Sequence, residues 1–181
     1  MKTKLRCSWA NHPEIYTKYH DEEWGMSQHD DQKLFEMICL EGAQAGLSWL
    51  TVLQKRENYR KAFDHFDAKK IAKYTTAKRT QLMKNEGIIR NRLKINAFIE
   101  NAKAFLKIQK EWGSFDKYIW HFVNNKTISY NKRKDAIVIS EIMSKQLKKD
   151  GFRFVGPTIC FAFMQATGMV HDHMPGCFKH K

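Results

Sequence analysis

Two cysteine and histidine pairs stand at opposite ends of this chain. Cys7 and His20 lie near the start, and His173 and Cys177 lie near the end at the i, i+4 spacing that presents two ligands from one turn. Together they form a Cys2His2 set that suits tetrahedral zinc. Four protein ligands leave no open position for a catalytic water, so such an ion is structural. Joining His20 to His173 would close a loop of roughly 150 residues and remove roughly 4 to 5 kcal/mol of unfolded-state entropy. Eight histidines and four cysteines also produce such spacings by chance. Residue types alone leave both readings open, and His171 beside His173 leaves open which imidazole ligates.

Glu41 falls on the same helical stripe as Leu34, Met37, Ile38 and Ala45. A carboxylate there is desolvated unless it has a partner or faces a cleft. Its readings are an ion pair with one of many Arg and Lys residues, or an acceptor kept for a ligand. Trp9, Tyr16, Tyr19, Trp24 and Trp49 concentrate aromatic surface in the same part of the chain. Such rings are either core or a surface on which a base stacks. The turn Gly87-Ile88-Ile89-Arg90-Asn91 precedes a helix start, where free backbone N–H groups and the helix dipole hold a phosphate, and Arg90 and Arg92 add charge. A short Gly-containing turn joins many helix pairs, so this signal is weak by itself.

The elements that must position these groups read as helices. All three prolines lie near the ends (Pro13, Pro157, Pro175), and apolar residues recur between them at helical spacing. The first clear helix begins near Asp30 and ends around Gly46; a second runs from about 48 to 63 behind a capping Ser48. Short helices follow at 67–74 and 76–84, and a long one runs over 92–110 with Ile95, Phe98, Ile99, Ala102 and Leu106 on one stripe. Further helices are expected at 114–124, 139–149 and 157–168, with the basic stretch 124–134 as a surface loop. The fold class is all-α, and residues 1–181 form one domain, since this length and 43% hydrophobic content supply one sizeable core and not two.

Lys and Arg number 32 against 19 Asp and Glu, a formal charge of +13 that favours a polyanionic partner, with nucleic acid first, or else serves solubility. No stretch approaches the roughly 18 apolar residues of a membrane span. The basic opening from Met1 to Arg6 is followed by no apolar run, so the expected compartment is the cytoplasm, where cysteines are buried thiols or metal ligands.

Several segments together resemble the bacterial 3-methyladenine DNA glycosylase I family: Tyr16-x-x-Tyr19-His20-Asp21-x-x-Trp24-Gly25, Leu34 to Gly42, and Ala45-Gly46-Leu47-Ser48-Trp49. Gly87-Ile88-Ile89-Arg90, Gly151 to Gly156 and His173-x-x-x-Cys177 extend the resemblance from Cys7 to Cys177. It implies a helix-hairpin-helix glycosylase domain that excises 3-methyladenine from double-stranded alkylated DNA by base flipping, releases the free base and leaves an abasic site. It also implies one structural zinc per chain on Cys7, His20, His173 and Cys177. Glu41 becomes the base reader and catalytic carboxylate, Tyr19 and Trp49 bracket the base, and Tyr16, Trp9 and Trp24 support them. Gly87, Ile88, Arg90 and Arg92 become the phosphate anchor, and Gly46 with Leu47 the wedge into the vacated stack.

The helix after the hairpin offers Lys94, Asn96, Glu100 and Asn101 but no Asp, and no motif nominates a Schiff-base lysine. The expected reaction is therefore simple hydrolysis, and the expected oligomeric state is a monomer. A non-catalytic DNA-binding module would explain the charge but not the carboxylate. A zinc hydrolase would need an open coordination position.

Overall fold

The computed structural model describes residues 4–180; residues 1–3 of the basic opening, and Lys181, lie outside the described residues. Ten α-helices run in the order α1 (Glu14–Glu22), α2 (Asp31–Gln44), α3 (Trp49–Gln54), α4 (Arg56–Ala62), α5 (Ala68–Ile71), α6 (Thr76–Met83), α7 (Arg92–Trp112), α8 (Phe115–His121), α9 (Arg133–Lys149) and α10 (Pro157–Ala166). Among the described residues the sole β feature is an isolated bridge between Ile128 and Val170, so the fold is all-α. No described helix is long and apolar enough to cross a membrane.

Helix α2 is the axle. The Asp30 side chain accepts from the amide of Lys33 and starts it. Every residue from Leu34 to Ala43 is buried, against α3, α7, α8 and α10. The expected one-sided stripe is thus corrected to burial on all faces, and Ala45 lies past the helix end as its C-cap. At the start of α2 the Asp31 carboxylate accepts from the amides of Phe115 and Asp116 and so caps α8 as well. Helix α7 begins at Asn91, whose side chain accepts from Leu93 and Lys94, and stops at Gly113, where φ is +83°. Phe35, Phe63, Phe66, Phe98, Phe105 and Phe115 interlock between α2, α4, α7 and α8. Removing one such ring typically costs about 3 to 5 kcal/mol.

The expected helices at 67–74 and 114–124 are shorter, Ala68–Ile71 and Phe115–His121, and three elements differ more. The expected helix over 48–63 is two, because the chain bends at Lys55 (φ −96°, ψ 0°) between α3 and α4. Helix α9 begins at Arg133, so the expected loop 124–134 shrinks to a turn with Asn124 and Asn125 at positive φ, followed by a 3-10 turn at Tyr130–Lys132. Helix α1 was not expected at all. Its N-cap is Pro13, which offers no side-chain hydrogen bond, and it spans only nine residues.

Candidate functional site

Helix α1 is the element that brings the two candidate sites together. Tyr16 and Tyr19 point from it into a pocket, and His20, the next residue, enters the cysteine and histidine cluster. The pocket, of about 290 Å³, is lined by Trp9, Tyr16, Tyr19, Trp24, Glu41, Gln44, Trp49, Ala162 and Gln165. That volume is at the lower end for ligand sites, the scale of one small planar molecule. Helix α2 contributes Glu41 and Gln44, Ser48 caps α3 so that Trp49 opens it, and α10 closes the far wall. Tyr19 and Trp49 stand 5.6 Å apart at 48°, a tilted pair. Behind them Trp9 meets Tyr16 and Trp24 edge to face at 5.6 Å and 5.1 Å.

Glu41 is 3% exposed and its Oε2 has no hydrogen-bond partner. No ion pair reaches it among the described residues, so the structural reading of a satisfied salt bridge fails. Burial pushes its carboxyl up to about 8. The indole Nε1 of Trp49 is likewise buried without a partner. Native proteins leave few buried polar atoms unpaired, and here a carboxylate and an N–H donor are left so around one pocket. Glu41 can accept a hydrogen bond there and the Trp49 indole can donate one, a pairing suited to a polar planar ligand.

The larger cavity of about 390 Å³ lined by Glu22, Glu23, Arg56 and Arg60 differs in kind. Arg56 is bidentate to Glu23 and bonded to Glu36, and Arg60 shares Glu36, so both arginines are already paired with carboxylates.

Cys7, His20, His173 and Cys177 are all buried, with their donor atoms within 4.8 Å of one another. Cys7 Sγ lies 3.8 Å from His173 Nδ1, and Cys177 Sγ lies 3.4 Å from His20 Nε2 and 3.7 Å from His173 Nδ1. These are the separations that a tetrahedron with zinc–sulfur and zinc–nitrogen bonds of about 2.3 and 2.0 Å requires. The surroundings match. The amides of Met174 and Lys179 donate to the sulfurs of Cys7 and Cys177, and His20 Nδ1 bonds to Asp21, which Arg6 holds from the other side. Arg6, then His20, holds the Asp21 carboxyl down to about 2. His173 is the imidazole in the cluster; His171 stands beside it, ring to ring at 5.3 Å.

The hairpin between α6 and α7 departs from the expectation in one respect. The amide of Gly87 donates to Asn85 Oδ1, that of Ile88 to the Asn85 carbonyl, and that of Ile89 to the Tyr59 hydroxyl. Three amides expected to be free are therefore committed internally, and Ile88 is buried. Those of Arg90 and Arg92 keep no internal partner among the described residues, and both side chains stay outside the core, Arg90 held by a loose 3.5 Å contact to Glu86. Gly46 takes φ +76°, and Leu47 beside it is 42% exposed.

Gln44, Ala162 and Gln165 escaped the sequence reading. Gln44 follows Glu41 by one turn and was legible in principle; the two on α10 become neighbours only through tertiary packing.

Comparison with known proteins meets this geometry. The family described as methyladenine glycosylase matches residues 9–180. A DNA-3-methyladenine glycosylase from Haemophilus influenzae is 50% identical over 177 residues, 95% of this chain and 96% of that one. The crystal structure of a 3-methyladenine DNA glycosylase I superposes with a TM-score of 0.91 at 48% identity, covering 98% of this chain and all of the other. A variant of a 3-methyladenine DNA glycosylase I solved in complex with 3-methyladenine superposes at 0.90 with 35% identity over 97% of each chain.

Proposed function

The chain belongs to the methyladenine glycosylase family, and from that premise we propose that it excises 3-methyladenine from alkylated double-stranded DNA. The observation that carries the reading is the unpartnered carboxylate of Glu41 inside an aromatic pocket. A base methylated at N3 is cationic while still in DNA. It supplies both the counter-charge and the exocyclic N–H donors that Glu41 lacks, and it stacks on Tyr19 and Trp49 with cation–π attraction of roughly 0.5 to 2 kcal/mol. An unmodified, neutral purine offers neither the charge nor a weakened bond.

The lesion must leave the duplex to reach the pocket, at a cost of a few kcal/mol. Leu47 fills the vacated stack, and the helix-hairpin-helix unit of α6 and α7 holds the phosphates with the Arg90 and Arg92 amides and side chains. The bond from C1′ to the base then breaks, its electron pair neutralises the departing base, and water adds to C1′ with loss of a proton. The protein orients, excludes competing solvent and stabilises charge; a good leaving group asks for no strong base. Monofunctional hydrolysis is supported by the pocket lining, which holds no lysine, and by Lys94, whose ammonium is occupied elsewhere.

The chemistry of the donor set fits one structural zinc on Cys7, His20, His173 and Cys177. Bound there, the ion would tie the chain's two ends and, through His20 and His173, back the pocket wall. It has no open position, which argues against a zinc hydrolase.

Methylated duplex DNA is incubated with the protein, with and without a mild chelator, and released bases are separated by chromatography. Free 3-methyladenine with an intact, abasic-site-bearing strand is the expected result. Absence of release, or strand cleavage by a covalent imine, overturns it.

A further inference from the structure

Lys94 stands in the first turn of α7, where a cation opposes the helix dipole. Its side chain turns away from that end. Nζ donates to the Ala43 carbonyl at 2.8 Å and to the Ala45 carbonyl at 2.7 Å, and the residue is 7% exposed. Both carbonyls belong to the C-terminal end of α2. The neighbouring ones are satisfied differently, Gly42 by the amide of Ala45 at 3.3 Å and Gln44 by that of Leu47 at 2.7 Å. One ammonium thus completes the end of α2 and welds it to the start of α7.

The two joined ends carry different parts of the proposed site. Helix α7 follows directly on Arg90 and Asn91 of the hairpin; α2 ends in Glu41 and Gln44 and runs on through Gly46 and Leu47 to Trp49. The strap over Leu47 has little bracing of its own. At Gly46 a Cβ would meet nothing within 4 Å, so the glycine serves the positive φ alone and the strap stands clear of the body. Its root is held by two local backbone hydrogen bonds and, from outside the strap, by the pair from Lys94.

We propose that Lys94 is a positioning residue that couples seating of the DNA backbone at the hairpin to insertion of Leu47. The inference rests on reading the hairpin as the phosphate anchor. When the strand seats on α7, Lys94 carries that register to the α2 terminus and sets Leu47 and the pocket mouth against the lesion. A free base has no phosphate to seat and needs no such register.

The experiment compares Lys94→Met, which keeps length and burial but donates nothing, with the parent protein. Single-turnover excision from duplex DNA should fall at least tenfold, while binding of free 3-methyladenine changes less than twofold. Combined with Leu47→Ala, the lysine substitution should add little further loss, because both act on one step. Equal loss of excision and of free-base binding would show that Lys94 only maintains the pocket. Full multiplicative losses in the double variant, or no loss in the single one, would overturn the coupling. If Lys94→Met does not fold, Lys94→Leu, which likewise donates nothing, enters the same cycle with the same criteria, and if neither folds, Leu47→Ala alone is tested in the parent, where an unchanged rate of excision overturns the coupling. The parent's own excision is measured alongside, so failure of the proposed activity is seen separately from failure of the coupling.

Discussion

Trp24 stands edge-on to His173, ring centroids 4.7 Å apart at 84°, and so joins the aromatic pocket to the cysteine and histidine cluster. Trp9 does the same against His20 at 5.4 Å. The pocket wall and the proposed zinc site share rings in van der Waals contact. The cluster therefore has two consequences, one for the chain ends and one for the pocket.

Removing the metal should act on both. One zinc per chain is expected by elemental analysis. Cys177→Ser, or stripping with a strong chelator, should lower stability by about 2 to 5 kcal/mol, the range for losing a staple that closes a long loop. Binding of 3-methyladenine should weaken in the same samples, because Trp9 and Trp24 lose their backing. An unchanged melting temperature in a metal-free sample would refute the staple.

Neutralising the hairpin should weaken DNA binding without changing base choice. Arg90→Gln with Arg92→Gln removes two charges beside the free amides, and the slope of log affinity against log salt should fall by about 1 to 2. Salt titrations on undamaged duplex measure it. An unaltered slope would place the anchor elsewhere on this strongly basic surface.

Glu41 links stability to pH. Its folded-state carboxyl lies at about 8, above the ordinary glutamate value, so the folded protein holds the proton more tightly than the unfolded chain. That contribution is fully present below about pH 4 and is lost as pH rises through about 8, the reverse of a salt-bridged acid. Between those limits the empty protein should lose a few kcal/mol, with about 5 as the ceiling. Glu41→Gln removes the dependence, so thermal unfolding at pH 8.5 should show the variant more stable than its parent, and at pH 5 nearly equal to it. Parallel pH curves for the two would mean that the carboxyl is not buried alone.

The sequence conveyed the helical class and the long helices because apolar spacing and caps are local. Asp30, Ser48, Asn91 and Ser114 each stand where the structure uses them as N-caps. It concealed α1, whose Pro13 start offers no side-chain cap, and the bend at Lys55, where no proline, glycine or side-chain cap marks the break. Glu41 stood out as an acid on an apolar stripe, a conflict between pattern and residue type. Gln165 did not, because nothing local marks a glutamine on α10 as facing α2. The hairpin glycine was legible as a turn; the spending of the Gly87 and Ile88 amides on Asn85 is local and went unread, whereas that of Ile89 on the Tyr59 hydroxyl depends on a contact made far along the chain.

Base selection should depend on pH through the same carboxyl. At neutral pH the empty pocket holds Glu41 largely protonated, and glutamine is a close copy of that form. A cationic lesion stabilises the carboxylate by attraction, but the proton must first leave, a penalty that shrinks as pH rises towards 8. Glu41→Gln should therefore weaken recognition modestly at pH 6 and by about 1 to 3 kcal/mol at pH 8.5, the scale of a charge-assisted hydrogen bond. Trp49→Ala should cost about 1 to 3 kcal/mol at every pH, since stacking carries no proton, and Tyr19→Phe less because its ring remains. Competition between damaged and undamaged duplex for the parent and each variant, at both pH values, separates the contributions. A Glu41→Gln deficit that is equal at both would mean that the ligand meets an ionised carboxylate throughout, and that the charge, once buried, is held there by something other than the base.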